Sequence, residues 1–110
     1  MTYEYRLVFA DELSAERVID RVKSDASHVG SRGKFIYLKE PSVESEATYD
    51  VRMVKEGGNS VWLEVGFRSP GLYHLLKGAI ADTTYACLDD EDPDDKVPLY
   101  EAFRLKQDPS

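Results

Sequence analysis

Residues 49–68, YDVRMVKEGGNSVWLEVGFR, constrain the fold more than any other stretch of this chain. Successive side chains of a strand point to opposite faces. Tyr49, Val51 and Met53 share one parity before the glycines, and Val61, Leu63, Val65 and Phe67 share one after them. The other parity holds Asp50, Arg52 and Val54, then Trp62, Glu64 and Arg68. This is the pattern of an antiparallel hairpin with one apolar and one largely polar face. The same pattern sizes the turn. A two-residue Gly57-Gly58 turn would set Met53 opposite Trp62 and mix the faces. A three-residue loop, Gly57-Gly58-Asn59, pairs Glu56 with Ser60, Met53 with Leu63, Val51 with Val65 and Tyr49 with Phe67. Such loops need a left-handed residue, which Gly or Asn supplies. On the second face Arg52 falls opposite Glu64 and Val54 beside Trp62. The Arg52–Glu64 pair adds only about a few tenths of a kcal/mol, but it favours the same register.

The flanking segments supply the other elements. Residues 2–10 alternate, with Tyr3, Tyr5, Leu7 and Phe9 against Glu4, Arg6 and Val8, which predicts a strand. Residues 13–26 carry Ala15, Val18, Ile19, Val22 and Ala26 at helical spacing, with Ser14 as N-cap and Leu13 with Val18 as a hydrophobic staple. SHVGSRG, at 27–33, reads as a loop, without the glycine spacing of a phosphate-binding motif. Residues 34–39 contain FIYL, apolar on both parities, which suits an interior strand. Glu40-Pro41 stops it, and 42–46 is a polar, acidic connection. Ser69-Pro70 opens a second helix with a Leu72, Leu75, Leu76, Ala79, Ile80 stripe, ending at Asp82-Thr83. Residues 84–88 read as a strand. Residues 97–105 read as a last strand, with Val97, Leu99, Phe103 and Leu105 on one face and Pro98 favouring an edge.

The expected order is β-α-β-β-β-α-β-β in a single α+β domain, residues 1–106, followed by a tail, 107–110. Two helices, each with one apolar stripe, cover one face of a mostly antiparallel five- or six-stranded sheet. The expected architecture is a two-layer sandwich with a ferredoxin-like core and added strands.

Charge narrows the function. The formal net charge is −7, from 21 acidic and 14 basic residues. A general nucleic-acid binder needs a basic surface to displace counterions, and an anionic membrane would repel this chain. Negative charge instead suits either solubility or a basic protein partner. One cysteine, Cys87, leaves no internal disulfide and fits a reducing compartment. No apolar run reaches the length of a membrane helix, and MTYEYRLVF enters a strand pattern with no leader-like segment. The expectation is a cytoplasmic protein.

Two stretches are candidate sites. DDEDPDD, at 89–95, packs six acids into seven residues and reads as a loop. Asp90, Asp92 and Asp94 alternate, and Glu101 is twelfth from Asp90, as in the calcium loop of an EF-hand. The sixth position, however, is Asp95 where that loop needs glycine, and strands are expected on either side. The solvated or partner-facing reading is the stronger one. The polar face of the hairpin is the second candidate: Trp62 beside Arg52, Val54 and Glu64, with Arg6 and Val8, has the composition of an interaction hot spot. Another strand or a second subunit covering that face is the competing reading. The catalytic inventory is short. His28, His74 and Cys87 form no recognisable nucleophile–base or zinc arrangement, so neither an enzyme nor a cofactor or metal site is expected.

In size, α+β order, the acid-dense loop 89–95 and the lack of a catalytic motif, the chain resembles the small acidic immunity proteins of bacterial toxin–immunity pairs. The resemblance implies a protein-binding inhibitor that covers the active site of a cognate toxin, a basic protein. By that analogy the partner-binding residues are Asp89, Asp90, Glu91, Asp92, Asp94 and Asp95, with Trp62, Arg52 and Glu64 from the sheet. A small ligand-binding or regulatory ferredoxin-like domain, dimerising as a homodimer through its sheet, is the alternative.

Overall fold

The computed structural model describes residues 3–25, 28–40, 49–66, 68–92 and 94–106. The elements are β1 (Tyr3–Phe9), α1 (Glu12–Lys23), β2 (His28–Arg32), β3 (Phe35–Leu38), β4 (Val51–Lys55), β5 (Ser60–Val65), α2 (Pro70–Ile80), β6 (Tyr85–Asp89) and a short α3 (Leu99–Ala102). Six antiparallel strands form one sheet in the order β2-β3-β4-β5-β1-β6. Strands β6-β1-β5-β4, with α1 after β1 and α2 between β5 and β6, have the order of a ferredoxin-like core. Strands β2 and β3 are the additions. After α1 the chain enters the sheet at its far edge and returns strand by strand. The result is the α+β two-layer sandwich that the pattern predicts.

The hairpin register is as expected. Met53 faces Leu63, Val51 faces Val65, Arg52 faces Glu64 and Val54 faces Trp62. The Glu56 amide donates to the Ser60 carbonyl at 3.0 Å, closing the three-residue loop, and Gly58 takes the left-handed φ of 76°. Phe67, Ala26, the connection 42–46 and the tail 107–110 lie outside the described residues, and Tyr49, just before β4, turns away from the apolar face expected for it and packs against Tyr37 and Glu64 on the opposite one.

Burial follows strand parity. Tyr5, Leu7, Phe9, Ile36, Leu38, Val51, Met53, Val61, Leu63 and Val65 are buried beneath Ala15, Val18, Ile19 and Val22 of α1 and Leu72, Leu76, Ala79 and Ile80 of α2. This shared core supplies the apolar burial that fixes helices to sheet. Arg21 ties the two helices together. It donates to the Ala79 carbonyl at 2.8 Å and to both Asp82 oxygens at 2.6 and 3.0 Å, satisfying part of the exposed C-terminus of α2.

Four local expectations are corrected. Asp11, not Ser14, caps α1: its Oδ1 accepts from the Ser14 amide at 2.7 Å, and Leu13 is 56% exposed, so no staple forms. The Ser69 side chain does not cap α2. The Glu40 carboxylate does so from across the fold, accepting from the Gly71 and Leu72 amides. Residues 28–32 are an edge strand rather than a loop, joined to β3 by a two-residue turn with Gly33 at φ 61°. An edge strand pairs on one side only, and Ser31 and Arg32 are exposed, so no apolar alternation marks it.

The fourth correction concerns the C-terminal segment. Beyond an isolated bridge between Leu88 and Lys96, it forms α3 instead of a strand. The Arg104 amide donates to Glu101 and the Leu105 amide to Tyr100, both at 3.0 Å, with Arg104 at φ 62°. This is a Schellman ending without its usual glycine. Phe103 and Leu99 are buried as the expected strand would have buried them, but from a helical turn against α2.

Candidate functional site

The sheet face opposite α1 and α2 gathers the residues left over by strand parity. From β3 come Phe35 and Tyr37, from β4 Arg52 and Val54, from β5 Trp62 and Glu64, and from β1 Glu4, Arg6 and Val8. Arg52 lies at its centre. Its Cζ stands 4.8 Å from the Phe35 ring centroid, 5.1 Å from Trp62 and 5.8 Å from Tyr49. Its Nη2 donates to Glu64 Oε2 at 3.0 Å, and the Tyr49 hydroxyl donates to Glu64 Oε1 at 3.3 Å. Burial, with the Glu64 carboxylate, pushes the Tyr49 phenol up. Trp62 packs edge-on against Phe35 with centroids 6.2 Å apart, and Tyr37 lies 4.9 Å from Tyr49. A cation flanked by aromatic faces and tied to a carboxylate has a fixed position. Trp62 is therefore a half-buried member of a packed surface, not a lone exposed ring.

The acidic loop begins at the end of β6. The Asp89 amide donates to the Asp95 carbonyl at 3.1 Å, and the Val97 amide to the Cys87 carbonyl at 2.8 Å, closing the loop's base. Asp89 accepts from the Glu91 amide at 2.8 Å, and Asp92 from the Asp94 amide at 3.2 Å. These are Asx turns, in which the carboxylates bind their own backbone. Among the described residues no group of three or more His, Cys, Asp or Glu side chains is placed to hold a metal ion. Glu91, Asp92, Asp94 and Asp95 are exposed.

Arg6 joins the two candidate surfaces. It faces Trp62 across the β1–β5 ladder. Its Nε donates to Glu56 Oε1 at 3.0 Å, while its Nη2 lies 3.5 Å from Asp90 Oδ1. Arg6, Phe35, Val54, Glu56, Trp62 and Asp90 line a groove of about 270 Å³. Of the six loop acids, Asp90 is the one that lines this groove, and Trp62 reaches it from the hairpin. Arg52 and Glu64 stand beside it as a spent pair. Residues missed by sequence reasoning are Phe35, Tyr37 and Glu56. The signal for the first two was present, since FIYL is apolar on both parities and its second parity must meet something other than the helices.

Cys87 is buried on β6, and burial, with Asp89 nearby, pushes its thiol up to about 12. His74 is exposed on α2, and His28 belongs to edge strand β2. No described helix is long and apolar enough to cross a membrane. No family model matches this chain, and no curated protein or solved structure gives a significant match.

Proposed function

We propose that the chain is a protein-binding inhibitor of the immunity-protein kind, which neutralises a cognate bacterial toxin in the cytoplasm by covering its active site. The observation that carries this reading is the bridge at Arg6. It makes the aromatic sheet face and the acidic loop one continuous surface, with packed aromatics in the middle and carboxylates at the rim. Interfaces concentrate binding energy in such aromatic and arginine-bearing centres. A net charge of −7 would steer a basic partner toward it and make the encounter sensitive to salt.

The test is capture of the partner from the native cell, followed by inhibition of that partner by the purified chain. A toxin domain bound one-to-one and inactivated supports the reading. Replacing Asp89, Asp90, Asp92, Asp94 and Asp95 by Asn and Glu91 by Gln should leave the thermal transition in place. It should also weaken the complex and flatten its salt dependence. An unchanged affinity removes the loop from the interface. A homodimer closing over Trp62 in solution would favour the regulatory, ligand-binding alternative.

A further inference from the structure

The groove at the junction has a more specific chemistry than the surface around it. Its walls are apolar: Val54 forms one part, and Phe35 meets Trp62 edge-on at 82°. Three charged groups line it, the Arg6 guanidinium and the Glu56 and Asp90 carboxylates. Glu56 takes the Arg6 fork, at 3.0 Å from Nε and 3.4 Å from Nη2. Asp90 receives only a 3.5 Å approach from Nη2, beyond good hydrogen-bond length. Two carboxylates thus share one guanidinium, leaving an excess of negative charge. Arg52, on the neighbouring row, is committed to Glu64 at 3.0 Å and does not neutralise it.

Size narrows the occupant. A volume of about 270 Å³ falls just below the range of about 300–1,000 Å³ typical of small-molecule pockets. It suits one side chain better than a metabolite. Apolar walls with a carboxylate excess at one end match a cation on an apolar stem. We propose that this groove is the anchor site for a single arginine side chain of a basic protein partner, its guanidinium on Asp90 and its stem along Trp62 and Val54. Arginine suits the site better than lysine, because its planar fork pairs with a carboxylate and stacks on an aromatic ring. The inference rests on the reading of the chain as a binder of a basic protein and names the point at which that partner is held.

Trp62 is the sole tryptophan, so its indole N–H gives one assignable signal in a nitrogen–proton NMR spectrum. A short oligo-arginine peptide, titrated into the intact protein, should move the Trp62 indole and the Asp90 amide together. Oligo-lysine should do so more weakly. Asp90→Asn should weaken the arginine titration by ~5–10-fold, the loss of one charge-assisted pair, with Asp20→Asn, an exposed acid on α1 in the helix layer, as a control that leaves the Trp62 response intact. If the amides of Glu91, Asp92, Asp94 and Asp95 move while the indole stays still, the groove is not the anchor, and the inference falls while the basic-partner reading stands. If no signal moves, both fall. A larger Trp62 response to single-stranded RNA than to the peptide would also overturn the proposal.

Discussion

The Glu40 carboxylate caps α2 through the Gly71 amide, 31 residues further along the chain. It also accepts from the Leu72 amide at 3.1 Å. A helix N-terminus presents unpaired N–H groups and a partial positive charge, so a buried carboxylate satisfies both. Gly71 is what permits the approach, since a Cβ there would lie 2.5 Å from Glu40 Oε2. Glu40→Ala should therefore lower stability by about 1–2 kcal/mol, the usual cost of a lost cap. Gly71→Ala should cost about as much in the natural chain, by displacing the carboxylate. In a Glu40→Ala background the same change should be neutral or stabilising, because alanine favours a helix over glycine. Urea unfolding of the four chains closes the cycle, and an equal cost of Gly71→Ala in both backgrounds would refute the coupling.

This cap shows where sequence reading stops. The hairpin register was legible because it depends on period-two alternation and on glycines within a few residues of each other. Ser69-Pro70 correctly marked the start of α2, yet the cap came from Glu40, which is adjacent only in the folded chain. Residues 28–32 pair on one side and bury little, so nothing in their pattern announced a strand. The segment 97–105 misled for a different reason. Leu99, Phe103 and Leu105 are apolar and buried, and their spacing fits a strand face as well as a helical turn. The glycine that usually marks a helix ending is replaced by Arg104. At the candidate site, Trp62, Arg52 and Glu64 followed from parity. The junction with Asp90 did not, because it depends on β6 lying beside β1.

Arg104 holds a left-handed backbone conformation that costs a non-glycine residue about 1–2 kcal/mol. Its side chain offsets that cost. The guanidinium lies 3.2 Å from the centre of the Tyr3 ring and donates to the Tyr5 hydroxyl, latching α3 onto β1. Arg104→Ala loses the latch and keeps the strain, whereas Arg104→Gly loses the latch and relieves it. The alanine variant should thus melt lower than the glycine variant, with both below the natural chain. A calorimetric series reads this order directly, and an alanine variant as stable as the glycine one would show that the backbone strain is negligible.

The thiol of Cys87 should be silent in the folded protein. It is 4% exposed, and burial, reinforced by Asp89, raises it from an ordinary 9.0 to about 12. Alkylation requires the thiolate, which is then scarce at neutral pH. Labelling with iodoacetamide at mildly alkaline pH should proceed only as fast as the chain opens, and rise sharply in denaturant. Mass spectrometry after timed quenches follows it. Rapid labelling without denaturant, at the rate of a free thiol, would place β6 in frequent local opening.

The Arg21–Asp82 pair should leave a trace in the acid limb of the stability curve. The two hydrogen bonds from Arg21, at 2.6 and 3.0 Å, hold the Asp82 carboxyl at about 2, below its ordinary 3.8. A carboxyl depressed in the folded state binds its proton more weakly there than in the unfolded chain. Its stabilising contribution is therefore complete above about pH 4 and disappears as the pH falls toward about 2. Both groups face solvent, so the effect is small and salt should diminish it further. Asp82→Asn removes the titration while leaving the Arg21 bond to the Ala79 carbonyl available. Urea unfolding of both chains across this range should show a stability gap at neutral pH that narrows steadily on acidification. A gap of constant size down to the lowest pH would mean that the Asp82 charge does not contribute to joining α1 and α2.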